Sequence, residues 1–235
     1  NVAILSLALG STLTRDYRFL SSLGVGALLH DIGKMSVPIE TLNKTTPLTS
    51  EEWAELREHP VRGAEIATLT NGVDRASTVC ILEHHMRYDL AGYPARSFEH
   101  NQHITSRIVS VADAYDAMTS QRPYSAPRMQ DEAMGIIVKN AGTALDPTLV
   151  RLFVDTLGYF PPRSVVLLSS GETAVVISPS PSEPSRPRVR IIADAEGSLT
   201  TPLDVDLSDA SESGGRSVLR CLDPSGMNVD VADFL

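Results

Sequence analysis

RFLSSLGVGALLHDIGK, residues 18–34, decides the fold. Its apolar residues recur at three- and four-residue spacing, which predicts a helix from Arg18 to Leu29. That helix delivers His30 and Asp31 at its end, and Gly33 and Pro38 follow as breakers. A His-Asp pair at a helix end is by itself as easily a cap as a pair of ligands, so its meaning depends on what the rest of the chain brings to it.

Upstream, Val2, Leu5, Leu7 and Leu9 carry an apolar period that is already running at Asn1, so a preceding stretch of chain is expected. Downstream, Thr49 to Glu52 reads as a capping box, with Thr49 as N-cap and Glu52 as its partner three residues on. Pro60 suits the first turn of the next helix. Residues 73–85 predict another helix, ending in His84 and His85. Met86 to His103 carries Gly92 and Pro94 and reads as a loop, of a length more often functional than decorative. Then Ile104, Ile108, Val111, Ala112, Tyr115 and Met118 mark an amphipathic helix from Ile104 to Thr119 that sets Asp113 beside apolar neighbours. Helices around 128–140 and 147–157 complete a bundle.

The texture changes at Gly158-Tyr159-Phe160-Pro161-Pro162. Beyond it, the runs 165–168, 174–177, 189–192 and 217–219 are short, apolar and separated by Gly, Ser, Pro and Asp, which predicts strands and turns. Ser178 to Pro187, rich in Ser and Pro, reads as an exposed connector. The expected fold class is therefore mainly α, a helical bundle over residues 1–158 followed by a small β-rich appendage over residues 159–235.

Composition narrows the functions open to such a chain. Twenty basic against 29 acidic side chains give a net charge of -9, which argues against a surface for DNA or RNA polymers. A phosphate substrate then needs a local cationic site, which metal ions or single lysines and arginines supply. No apolar run reaches the roughly 20 residues that span a bilayer, so a soluble segment is expected. Cys80 and Cys221 stand far apart and outside any CxxC pattern, so no disulfide or thiolate zinc site is expected, and a reducing cytoplasm is the simplest compartment.

Six side chains have the chemistry of metal ligands: His30, Asp31, His59, His84, His85 and Asp113, which include four of the chain's six histidines. Imidazole and carboxylate suit Fe, Mn, Zn or Ni, and a carboxylate can bridge two ions that clamp a phosphoryl displacement. Asp113 adds weight, because a carboxylate on a mostly apolar helix face costs desolvation unless paired or metal-bound.

His30-Asp31-Ile32-Gly33-Lys34, then Leu56-Arg57-Glu58-His59-Pro60, His84-His85 with Gly92-Tyr93-Pro94, Val111-Ala112-Asp113-Ala114-Tyr115-Asp116-Ala117-Met118-Thr119 and Arg122-Pro123-Tyr124 together resemble the HD-GYP family. These are five ordered motifs between His30 and Tyr124. The resemblance implies an HD-type helical bundle that hydrolyses cyclic di-GMP to linear pGpG or GMP in bacterial second-messenger signalling, using two or three divalent ions, Fe or Mn. It implies that Asp31 bridges ions, that His30 and Asp113 hold one, and that His59, His84 and His85 hold a second. Lys34 is then expected to face a phosphate and, with Asp31, to serve catalysis. Gly92 is expected to permit a tight turn, Tyr93 to stack on guanine, and Arg122 to fork onto phosphate or base. The family also implies sensor or receiver domains upstream and protein partners.

The chain departs from the family pattern in several places. The family carries another histidine a few residues before the point where this chain opens. Met86 stands where the family has Glu, removing an acceptor that could orient a ligand, and Leu90 stands where it has Gly. Thr45-Thr46 replaces a Pro-Gly pair, and Ser125 a basic residue. These changes bear on attenuated activity. They make a weakened module that binds cyclic dinucleotide or a protein partner the alternative to an active phosphodiesterase, with a hydrolase of another nucleotide as the third reading.

Overall fold

The computed structural model describes residues 1–95, 101–121, 127–227 and 231–234. The chain forms two compact units, one of residues 1–127 and 137–152, the other of residues 128–136 and 153–235. No described helix is long and apolar enough to cross a membrane.

The first unit is built from α1 (Val2–Leu13), α2 (Tyr17–Leu29), the short α3 (Ile39–Leu42), α4 (Ser50–Leu56), α5 (His59–Leu69), α6 (Arg75–Glu83) and α7 (Ile104–Thr119). Asp16 caps α2 by accepting from the Arg18 amide, and Asp74 caps α6 by accepting from that of Ser77. Thr49 and Glu52 form the expected capping box at the start of α4, and Pro60 sits in the first turn of α5. The core of this unit gathers Leu9, Leu23, Ala27, Ile81, Ile108 and Val111, all essentially without solvent exposure. These are the positions that the helical period sets on one face of each helix.

Between α2 and α3 the chain makes a short 3₁₀ helix, Ile32–Ser36, which lies against α5. The approach is so close that a Cβ on Gly33 would collide with the His59 carbonyl and the Gly63 amide. Only glycine permits it, and it brings Asp31 beside His59.

Two further helices, α8 (Gln130–Lys139) and α9 (Pro147–Leu157), follow. The second unit holds a five-stranded antiparallel sheet of β1 (Val165–Leu168), β2 (Thr173–Ser178), β3 (Arg188–Ala193), β4 (Leu199–Asp206) and β5 (Val218–Leu222), in the order β4-β3-β2-β1-β5. A one-turn helix, α10 (Ala210–Ser213), precedes β5. Val166, Leu168, Ala174, Val176, Val189, Ile191 and Val205 pack one side of the sheet, and Val165, Val175 and Ile192 the other. Strand β4 is the strand that the sequence pattern does not announce, and the short helices Ile32–Ser36, α3 and α10 are likewise unannounced. The β4 residues Leu199 to Asp204 are exposed and include Pro202, a composition tolerated on a sheet edge and absent from the buried runs.

Candidate metal centre

A helix leaves its last four carbonyls without a partner inside the helix. Three histidines each take one. His30 places Nδ1 2.8 Å from the Ala27 carbonyl near the end of α2. His59 places it 2.7 Å from that of Leu56 at the end of α4, and His84 2.7 Å from that of Ile81 near the end of α6. A carbonyl only accepts, so in each ring Nδ1 carries a hydrogen, and Nε2 is the atom that presents a lone pair whenever the ring is neutral.

These lone pairs converge. His59 Nε2 and His84 Nε2 lie 3.2 Å apart, and Asp31 Oδ1 is 3.3 Å from the first and 3.9 Å from the second. That oxygen is buried and has no hydrogen-bond partner. Two imidazole lone pairs and an orphaned carboxylate oxygen cannot satisfy one another. With His85 they form a group whose ligand atoms all lie within 4.8 Å of one another, a nitrogen and oxygen donor set that fits a divalent ion. The other Asp31 oxygen faces away, 2.6 Å from Lys34 Nζ and 3.4 Å from His30 Nε2. His30 Nε2 is in turn 3.7 Å from Asp113 Oδ1, and Asp113 Oδ2 is 4.0 Å from His85 Nδ1. All six expected ligand residues are thus brought together, with Asp31 in the middle.

Burial drives the His84 imidazolium far below its ordinary range and brings that of His85 to about 4, so both rings are neutral near pH 7, the form that ligates. Burial opposes charge on His30 as well, but the Asp113 and Asp31 carboxylates overcome it and raise this group to about 10. Burial likewise works against the Asp31 and Asp113 carboxylates, and the facing His30 ring brings both below the usual range.

Tyr93 borders the cluster, its ring 4.7 Å from that of His85 and 6.3 Å from that of His59. Burial, with the Asp113 and Asp31 charges behind it, pushes the Tyr93 hydroxyl up, so it stays a phenol. Gly92 has a different role from the tight turn expected of it. Its φ is not positive, but a Cβ there would run into the His85 carbonyl and the Arg87 amide, so it is close approach that requires glycine. Leu90, by contrast, has φ 64. Arg122 and Ser125 lie outside the described residues.

Sequence reasoning missed the groups that hold the histidine turn. The Gln102 carboxamide donates to the carbonyls of Glu83 and Met86, each at 3.0 Å, and the Ser110 hydroxyl donates to that of His84 at 2.6 Å. Ser106 Oγ and the His103 amide donate to the buried Glu83 carboxylate. The available signal was Ser106 and Ser110, one helical turn apart and both buried on α7. Met86 is buried here, and the three ring orientations come from backbone carbonyls and do not depend on a side-chain acceptor at that position.

The HD domain family matches residues 2–149, and the KOW domain associated with HD domain matches residues 165–225. A cyclic di-GMP phosphodiesterase of Pseudomonas aeruginosa is 34% identical over 212 residues, which are 90% of this chain and 51% of that protein. Another, from Thermotoga maritima, is 36% identical over 137 residues, 58% of this chain and 37% of its own. Among solved structures, an HDG"Y"P protein from Bdellovibrio bacteriovorus shares the fold, with a TM-score of 0.54 at 22% identity over 66% of this chain and 49% of that one. The chain spans about half the length, or less, of the curated relatives it matches.

Proposed function

Because this chain belongs to the HD domain family, we propose that its helical part is a metal-dependent phosphodiesterase that hydrolyses cyclic di-GMP to linear pGpG or GMP. The observation that carries this reading is the Asp31 carboxylate, with one buried, unbonded oxygen turned to His59 and His84 and the other turned to His30. In this reading Asp31 would be shared between two ions, one held by His30 and Asp113 and the other by His59, His84 and His85. A donor set of imidazole and carboxylate without thiolate is compatible with Fe or Mn, and the family resemblance adds the expectation that two or three such ions are held. Ions so held acidify water near neutral pH and draw charge from phosphoryl oxygens.

The chain's own groups do the rest. The neutral His84 and His85 rings donate lone pairs, while Lys34, now on Asp31, lies where its ammonium meets charge developing on the scissile phosphate. Tyr93, held as a phenol, offers a flat ring to a guanine, and Gly92 keeps the loop backbone close against His85. Arg122 is assigned to phosphate or base. The functional division falls near residue 158, supported by the separate matches to residues 2–149 and 165–225. The bacterial cytoplasm, with an upstream sensor or receiver domain and protein partners, is the setting. Buried free thiols at Cys80 and Cys221 agree with that compartment.

The test is metal analysis with product chromatography on the intact protein loaded with Fe(II) or Mn(II). Conversion of cyclic di-GMP is expected, and Asp31→Ala should abolish it together with most of the bound metal. Turnover no faster than background by the metallated protein refutes the proposal.

A further inference from the structure

Beyond Lys34 the first unit contains a cavity of about 640 Å³ whose lining includes Lys34, Asn43, Lys44, Thr45, Thr46 and Trp53. In a chain of net charge -9 this lining has two lysines and no acidic side chain among its described residues. Lys34 joins the cavity to the ligand cluster, because its ammonium is 2.6 Å from Asp31. A second path leads the same way: from His85 to Tyr93, then the Arg57 guanidinium, 5.7 Å from the ring of Tyr93 and 5.7 Å from that of Trp53. Trp53 keeps 45% of its surface exposed. The cation at its ring fixes the plane on which an aromatic guest can lie. The volume is within the ~300–1,000 Å³ range of small-molecule sites.

Resting on the phosphodiesterase reading above, we propose that this cavity seats the half of the cyclic dinucleotide that is not being cleaved, its base stacked on Trp53 and its phosphate drawn to Lys44. Thr45, Thr46 and the Asn43 carboxamide offer both donors and acceptors to the base edge and sugar. Lys44 is ion-paired with both Glu52 oxygens at 2.6 and 2.8 Å, which anchors its ammonium beside the wall, and a phosphate there would share that ammonium with Glu52. Arg57 is a positioning residue, acting through Trp53 and Tyr93.

Trp53 is the chain's only tryptophan, so its emission reports on this cavity alone. The metal-loaded protein is mixed with cyclic di-GMP in a stopped-flow fluorimeter while product is followed separately. A saturable quench that forms before product and fades as substrate is consumed is expected. Trp53→Ala should raise KM about tenfold, the effect of losing one stacked base, with kcat within about threefold. Lys44→Ala should raise KM similarly, and it decides the matter if Trp53→Ala does not fold. Turnover without a quench, or with an unchanged KM in a folded variant, overturns the cavity assignment and leaves the phosphodiesterase standing. A saturable quench without turnover shows that the cavity binds the dinucleotide but sinks the hydrolase, and with it the assignment of an uncleaved half. Neither quench nor turnover removes both.

Discussion

His30 sits between two carboxylates, 3.4 Å from Asp31 and 3.7 Å from Asp113, and without a metal it holds a proton that they stabilise. Its folded-state value of about 10 lies above the ordinary 6.5, so its contribution to stability is complete below about 6.5 and is lost as pH rises toward 10. In chelator, the urea midpoint should therefore fall steadily between about pH 6.5 and 8.5, a window below the titration of unfolded cysteines, and His30→Asn should flatten that slope. Leu90 offers the opposite test. A leucine in the left-handed region costs roughly 1–2 kcal/mol that glycine avoids, so Leu90→Gly is expected to raise the thermal midpoint while leaving the loop's hydrogen bonds in place. The sequence marked Leu90 as a departure without revealing why glycine belongs there, because φ is a property of the folded loop. The six ligand-type residues were legible because their chemistry is carried by residue type and order. Trp53 and Arg57 were not, since a tryptophan on a short helix and an arginine just past its end look like any solvated face.

At the scale of elements, the site depends on how closely a turn and a helix approach. Gly33→Ala should force the 32–36 turn away from α5, cost about 1–3 kcal/mol as overpacking does, and part Asp31 from His59. A lowered thermal midpoint together with lost metal content checks this. An unchanged metal content would show that the close approach does not set the ligand distance. The α elements were readable from the sequence to within a few residues: the predicted 18–29, 104–119 and 147–157 stand as Tyr17–Leu29, Ile104–Thr119 and Pro147–Leu157. Each has a 3.6-residue apolar period and a clear stop. Strand β4 escaped because exposed edge residues need no alternation, and Gln102 escaped because its partners are carbonyls, which no sequence pattern displays.

Across the whole molecule, the six ligand-type residues His30, Asp31, His59, His84, His85 and Asp113 all lie within residues 1–127, and each of the two units has one cysteine, Cys80 in the first and Cys221 in the second. Burial pushes both thiols up to about 12, so neither should alkylate at pH 8 while its unit is folded. An ion present at 100 times its Kd adds about 2.7 kcal/mol to the unit that binds it. Chelation should therefore lower the urea concentration at which Cys80 is labelled and leave that for Cys221 in place, as read by mass spectrometry. Equal shifts at both thiols would show that the units unfold together. The change from helical to strand-and-turn texture was visible at residue 158, whereas the assignment of residues 128–136 and 153–157 to the second unit was not, because a helix's pattern does not say which neighbour it serves. The three histidines that close helix ends also bear on descent. Asparagine in their places would keep an N–H for each carbonyl and lose the lone pair aimed at the centre. A lineage could thus shed its chemistry one ligand at a time and still inherit an intact scaffold, so silent copies of this fold should be common and hard to tell from working ones by shape.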